Sequence, residues 1–255
     1  MSYFKENGQY AFGIDLSRYN SSPDGRLGVD FDTIALHRPR VAFIAMRAGV
    51  SWGYQDACFA NYFAEAERIG ACILPYHVIY PGEPAQTQVD NFLRILNGCN
   101  LDAVRLVLDL ELDFGLSKTV ITRTVLHCLQ QLERVCGRLP ILYSRAGWVN
   151  AHLALSDLPQ VDWWLAQYRW AVPAPLYTPE YPCPPALPKG VSTWLIHQTA
   201  SRAPSIGAPA NPYMDYNRWN GTEADVRRYF GAEATQICPL DGEPCDGRWG
   251  NAADQ

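Results

Sequence analysis

The sequence predicts an α/β fold in which strand and helix units close into a barrel. Short β-branched and apolar runs alternate with longer segments of helical period, the pattern of helices packed around a mostly parallel sheet. Eight such short runs occur, enough for a sheet to close on itself. A chain of 255 residues, 48% hydrophobic and 18% charged, can also bury a core of that size.

The candidate strands are residues 12–16, 41–47, 71–79, 104–112, 140–143, 162–168, 193–198 and a short last one at 213–217. Helical stripes lie between them at 31–37, 58–69, 84–96, 119–136 and 146–153; in the second, Phe59, Tyr62, Phe63, Ala66 and Ile69 share one face. Helices become scarce after residue 155, so the second half of the barrel is expected to be irregular and loop-rich. Its longest connection, residues 171–190, carries seven prolines, which fix φ and bar a helix. After a helix at 223–230, residues 231–255 lose all periodicity and are rich in Gly, Asp and Pro. The expected organisation is a barrel domain over 10–230 and a tail or small appendage over 231–255. No internal repeat is present.

Charge and composition narrow the partners. With 21 Lys and Arg against 26 Asp and Glu, the net charge of -5 offers no footprint for a nucleic-acid backbone or an anionic membrane. The first residues lack the apolar stretch of an export signal, and no apolar run approaches the roughly 20 residues that span a bilayer, so the chain is expected to be made in the cytoplasm without membrane insertion. The eight cysteines are scattered, with no CxxC pair and no zinc-finger spacing, so neither a metal nor a cofactor is expected. Cys58, Cys72 and Cys128 read as small core residues, and Cys238 and Cys245, which bracket PLDGEP, as a candidate local bridge. Oligomeric state has no signal in the sequence.

The chemistry concentrates in Leu106-Val107-Leu108-Asp109-Leu110-Glu111-Leu112-Asp113. Period two puts Asp109, Glu111 and Asp113 on one face of the strand and the leucines on the other. At the C-terminal end of a barrel strand such a row faces the mouth, where barrel chemistry occurs. Neighbouring carboxylates repel when both are ionised, which favours keeping one protonated as a general acid. A solvated strand edge or a metal site would show the same residues; the apolar opposite face argues against the first, and the absence of a nearby HxH or HxxxD pattern against the second. Asp15, at the end of the first strand, and Asp215, on the last, become neighbours once the barrel closes, although each alone reads more readily as a turn or cap residue than as a catalytic one.

These residues resemble the family 25 glycoside hydrolases, lysozymes that cut the β-1,4 bond between N-acetylmuramic acid and N-acetylglucosamine. The resemblance is carried, in order, by GIDLS at 13–17, FIAMRAG at 43–49, DACFAN at 56–61, PYHVIY at 75–80, DLE at 109–111, LYS at 142–144, WLAQY at 164–168, WLIHQ at 194–198 and DYN at 215–217. It spans about residues 10 to 230, each motif weak alone but the ordered set specific. It departs from the family in Val78 and Thr199, where aromatics are common, in the length of the proline-rich loop and in its cysteine count. The resemblance implies a flattened TIM-like barrel, a peptidoglycan glycan strand as partner, Glu111 as the general acid and Asp109, Asp15 and Asp215 as the rest of a carboxylate cluster. It also implies a retaining mechanism in which the substrate's N-acetyl group acts as nucleophile. Tyr76, Trp164, Tyr168, Trp194, Gln198 and Asn217 are the expected sugar contacts, with barrel core as the other reading of the aromatics. Trp163, out of phase with Trp164, and His77 and His197 read as core; Arg47 either sets the cluster's charge or pairs with a surface acid. With no export signal visible, the setting expected for such an enzyme is a phage or prophage lysin that reaches the bacterial wall after release, with an exported bacterial autolysin as the other reading. Two other readings use the same barrel: a glycan-binding or virion structural module that no longer cuts, and a hydrolase of another amino-sugar polymer such as chitin.

Overall fold

A computed structural model of the chain describes residues 10–168 and 184–231. Nine strands occur among these residues: β1 (Phe12–Leu16), β2 (Val41–Val50), β3 (Tyr54–Gln55), β4 (Cys72–Val78), β5 (Val107–Asp109), β6 (Ile141–Ser144), β7 (Trp163–Ala166), β8 (Ile196–Pro204) and β9 (Tyr213–Trp219). Eight form a closed ring in the order β1-β9-β8-β7-β6-β5-β4-β2, which the β1–β2 pairing completes; β3 hangs on the outer end of β2. The helices are α1 (Phe31–Leu36), α2 (Phe59–Arg68), α3 (Ala85–Ile95), α4 (Lys118–Cys136), α5 (Ala146–His152) and α6 (Glu223–Tyr229).

The α/β barrel expected from the alternating pattern is therefore present, with three corrections. The last strand, β9, runs antiparallel to both β1 and β8. Residues 205–212 join β8 to β9 directly, and so short a link makes a hairpin rather than a crossover. β8 begins at Ile196 rather than residue 193 and runs on to Pro204. β5 ends at Asp109 rather than residue 112, so the chain beyond it leaves strand geometry. Of the proline-rich connection, residues 171–183 lie outside the described residues, as do Cys238, Cys245 and 232–255.

Period two sorts each strand's side chains into two cores. Ile14, Ile44, Met46, Leu108, Leu142, Trp163 and Leu165 point outward and bury against Phe59, Tyr62, Phe92 and Leu129 of the helices. Phe43, Ala45, Leu74, Val107, Ile141, Tyr143, Trp164, Ile196 and Trp219 point inward and fill the barrel. The helices begin and end where their sequence directs. Asp30 caps α1 by accepting from Asp32 and Thr33 N–H groups, and Ser117 caps α4. Gly137 ends α4 at φ 67°, a conformation that costs glycine nothing. At the base of the barrel Trp219 packs on Tyr229, with ring centroids 5.0 Å apart, and on Phe230 just after α6. Cys128 is buried on α4, and Cys58 and Cys72 pack half-buried against the cores.

Candidate active site

The inward positions at the C-terminal ends of β1 and β5, with their neighbours on β8 and β9, converge on one polar cluster above the inner core. Asp15 faces Asp215 directly across the β1–β9 pair. The Asp15 carboxylate is buried, and its Oδ2 accepts from Gln198 Nε2 at 2.9 Å and Asn217 Nδ2 at 2.8 Å. Asn217 is held in turn by the indole N–H of Trp164, which donates to its Oδ1 at 2.9 Å. Gln198 is the hub: its Nε2 also donates to Asp215 Oδ2 at 3.4 Å, while its Oε1 accepts from the hydroxyls of Tyr143 at 2.7 Å and Tyr168 at 2.5 Å. Every hydrogen-bonding position of that amide is thus used within the protein.

Asp109 lies on the cluster's floor and Glu111 at its rim. Asp109 is buried, and its Oδ1 has no hydrogen-bond partner. Beyond β5 the chain stays alongside β6 because Leu110 N–H donates to Tyr143 O at 3.0 Å and Ser144 Oγ to Leu110 O at 2.6 Å. That extension carries Glu111 to the mouth, where its side chain is 41% exposed and Arg145 Nε stands 3.9 Å from Oε1. Asp113 does not join the row. Its Oδ1 accepts from Gly115 N–H at 2.7 Å, so it shapes the turn that follows.

Burial and mutual repulsion control the protons. Burial raises the Asp109 carboxyl well above the ordinary carboxylate range, and the charges of Glu111 and Asp15 raise it further. Asp215 is raised by burial and then by Asp15, with which it shares a hydrogen bond; Asp15 is raised by burial, but the donors Asn217 and Gln198 oppose the shift. The two carboxyls therefore titrate as a pair, in which the Asp15 charge favours the proton on Asp215 while Asn217 and Gln198 favour the ionised form of Asp15. Glu111 is raised by burial, opposed by Arg145. A rim carboxyl that keeps its proton above the usual range, over buried carboxyls, is equipped for general acid chemistry.

The other expected contacts divide. Tyr168, 46% exposed, reaches the mouth and the cluster together. Tyr76 is half-buried, its ring edge-on to Trp164 at 6.4 Å. Trp164 is 2% exposed and fills the barrel beneath the cluster, so it orients Asn217 instead of stacking on a sugar. Gln198 and Asn217, 3% and 0% exposed, are likewise internal clamps on Asp15. Trp194 precedes β8 and stacks on Tyr10 at 5.9 Å, two residues before the strand's first pair at the base; it is at the wrong end of the barrel for the cluster. His77 and His197 are buried core residues, each bonded to a backbone carbonyl. Arg47 pairs with Asp56, whose Oδ2 accepts from Nε at 2.8 Å, and Asp56 is buried, not a surface acid. The Arg47 charge also acts on Asp109, lowering it. Sequence reading missed Tyr143 and Asp56 as site residues, although both lie in the LYS and DACFAN motifs.

Comparison with known proteins identifies the family and the fold. The chain is 24% identical over 220 residues to the uncharacterized protein YegX of Escherichia coli O157:H7, an alignment covering 85% of this chain and 72% of the relative. Its fold superposes on the bacterial lysozyme of Streptomyces coelicolor with a TM-score of 0.70 at 20% identity, covering 90% of this chain and 100% of that one. A family 25 glycosyl hydrolase from Bacillus anthracis gives a TM-score of 0.67 at 18% identity, with 89% and 94% covered. The sequence matches the glycosyl hydrolases of family 25 over residues 14–207, well over half of its length, and the chain belongs to that family of glycoside hydrolases.

Proposed function

We propose that the protein is a muramidase that hydrolyses the β-1,4 bond between N-acetylmuramic acid and N-acetylglucosamine in the peptidoglycan of the bacterial cell wall. Its catalytic carboxylates are Glu111, Asp109, Asp15 and Asp215. The observation that carries this reading is the half-exposed Glu111 at the rim, its carboxyl raised, above the buried Asp15 and Asp109 and the half-buried Asp215. Glu111 gives its proton to the glycosidic oxygen as the bond to C1 breaks, and the substrate's acetamido oxygen closes onto C1, retaining configuration. Water then opens that intermediate, and the Glu111 carboxylate takes its proton. Asp109, whose Oδ1 is free of partners, supports the acetamido N–H, and the Asp15–Asp215 pair supplies the charge that stabilises the oxocarbenium-like centre. Tyr168 is the sugar contact nearest this chemistry; the wall is reached as a lysin reaches it.

Purified peptidoglycan digested with the wild type and with Glu111→Gln, then reduced with borohydride and analysed by mass spectrometry, tests this. Reduced muramic acid ends from the wild type are expected, with at least about a hundredfold fewer from the variant. Reduced glucosamine ends, or turnover by Glu111→Gln near wild type with normal folding, would overturn the assignment.

A further inference from the structure

Beside the cluster the rim carries a second construction that the proposed chemistry does not use. The guanidinium of Arg18 lies 4.9 Å from the ring centre of Tyr19 and 5.7 Å from that of Tyr54; that of Arg47 lies 5.1 Å and 5.6 Å from the same two rings. Two cations and two phenol rings thus share one stack, each contact within cation–π range. Its inner part is fixed. Arg47, half-buried, is clamped by Asp56, and Asp56 Oδ2 also accepts from the Arg18 backbone N–H at 3.1 Å. Its outer part faces solvent: Tyr19 is 62% and Tyr54 37% exposed.

The turn that presents Tyr54 is held under strain. Ser51 adopts φ 51°, unusual for a residue with a side chain, and its carbonyl accepts from Asn91 Nδ2 at 3.0 Å and bonds His77 Nε2 at 2.7 Å. The next residue, Trp52, is 63% exposed. A register shift in the β2–β4 pairing falls between Arg47 and Gly49, and bulges of this kind re-aim side chains beside active sites. The charge in the stack is unbalanced. Asp56 is the one carboxylate that touches it among the described residues, and the Arg18 side chain forms no ion pair there.

We infer that the Arg18–Tyr19–Tyr54 face is a glycan subsite that recognises a carboxylate borne by the sugar chain, with the rings supporting the sugar and Arg18 taking the acid. The inference rests on the muramidase reading and deepens it. In such a polymer the carboxylate comes from one of two sources, the lactyl group of muramic acid or the peptide attached to it. The ladder stands on the cluster's side of the barrel, since the Arg47 charge acts on Asp109.

The test measures binding by calorimetry in the Glu111→Gln background, with and without Arg18→Gln. Three soluble oligomers are compared: muropeptide chains, the same chains stripped of peptide so that the lactyl carboxylate is free, and neutral N-acetylglucosamine oligomers. Arg18→Gln is expected to weaken one or both acidic ligands by about fivefold or more, to weaken the neutral one less, and to remove the salt dependence of the acidic affinity. The arm that loses most identifies the source. Equal loss on all three ligands, or no loss on any, overturns the inference. Hydrolysis of peptidoglycan by the wild type is scored separately: its absence would sink the muramidase reading, while the Arg18-dependent difference still decides the subsite.

Discussion

Asp109 is a carboxyl group in the place of an apolar residue, and the sign of its proton linkage follows from that. Burial raises it above its unfolded value of about 3.9. Its stabilising contribution is fully present below that unfolded value, where both states are protonated. It is lost as pH rises through the folded value, because over that interval the folded state holds a proton that the unfolded chain has released. Asp215 acts in the same direction. The urea midpoint of the wild type is therefore expected to fall between pH 5 and pH 9, and Asp109→Asn, which cannot ionise, should fall less steeply; equal slopes would place the linkage elsewhere. At this scale much was legible. Alternation identified Asp109 as inward-facing, and the parity of Trp163 and Trp164 was read correctly as opposite faces. Inward, however, means interior in a barrel of eight strands, where side chains fill the lumen, so Trp164 became a support rather than a surface for sugar. The Tyr143–Gln198 and Arg47–Asp56 contacts had no local signal at all, since such partners are chosen by the closed fold.

Elements meet in this site through their ends, and strand ends are what periodicity locates least well. The pattern through 106–113 continues past the point where β5 stops pairing at Asp109; what carries Glu111 outward is a pair of bonds from Leu110 to β6, not a pleat. The converse holds at Trp194: β8 starts two residues after it, although the apolar run begins there, and the indole is left at the base. The close approach of β1 to β2 was also hidden. A Cβ on Gly13 would stand 2.4 Å from Cε2 and Cζ of the buried Phe43 ring. Phe43 is walled in by Trp219, at a centroid distance of 5.6 Å, and has little room to move. Gly13→Ala should therefore destabilise the protein by about 1–3 kcal/mol in urea unfolding. Because Asp15 is two residues along the same strand, turnover per folded molecule should fall as well. Wild-type stability in this variant would mean that β1 tolerates displacement from β2.

As a whole the molecule covers the base of its barrel with its own last helix, and this bears on the residues after the barrel. The ring needs β9, which supplies Asp215 and Asn217 at the mouth and Trp219 at the base. The base is then covered from α6 onward: Tyr229 and Phe230 pack on Trp219, and Arg105 donates to the Tyr229 carbonyl with Nε at 3.0 Å. The capping box of Thr222 and Asp225 starts α6 without help from beyond it. Among the described residues these contacts lie at or before Phe230, and we propose 10–230 as the barrel domain and 231–255 as an appendage. A chain ending at Gly231 should therefore unfold with the full-length urea midpoint and hydrolyse solubilised glycan at an undiminished rate, whereas a chain ending at Ser205, which lacks β9 and α6, should not fold. If the Gly231 truncation lost stability, the base would depend on residues of the tail; if it kept stability and cleaved soluble glycan but failed on intact walls, the tail would be a targeting element and the barrel a self-sufficient hydrolase.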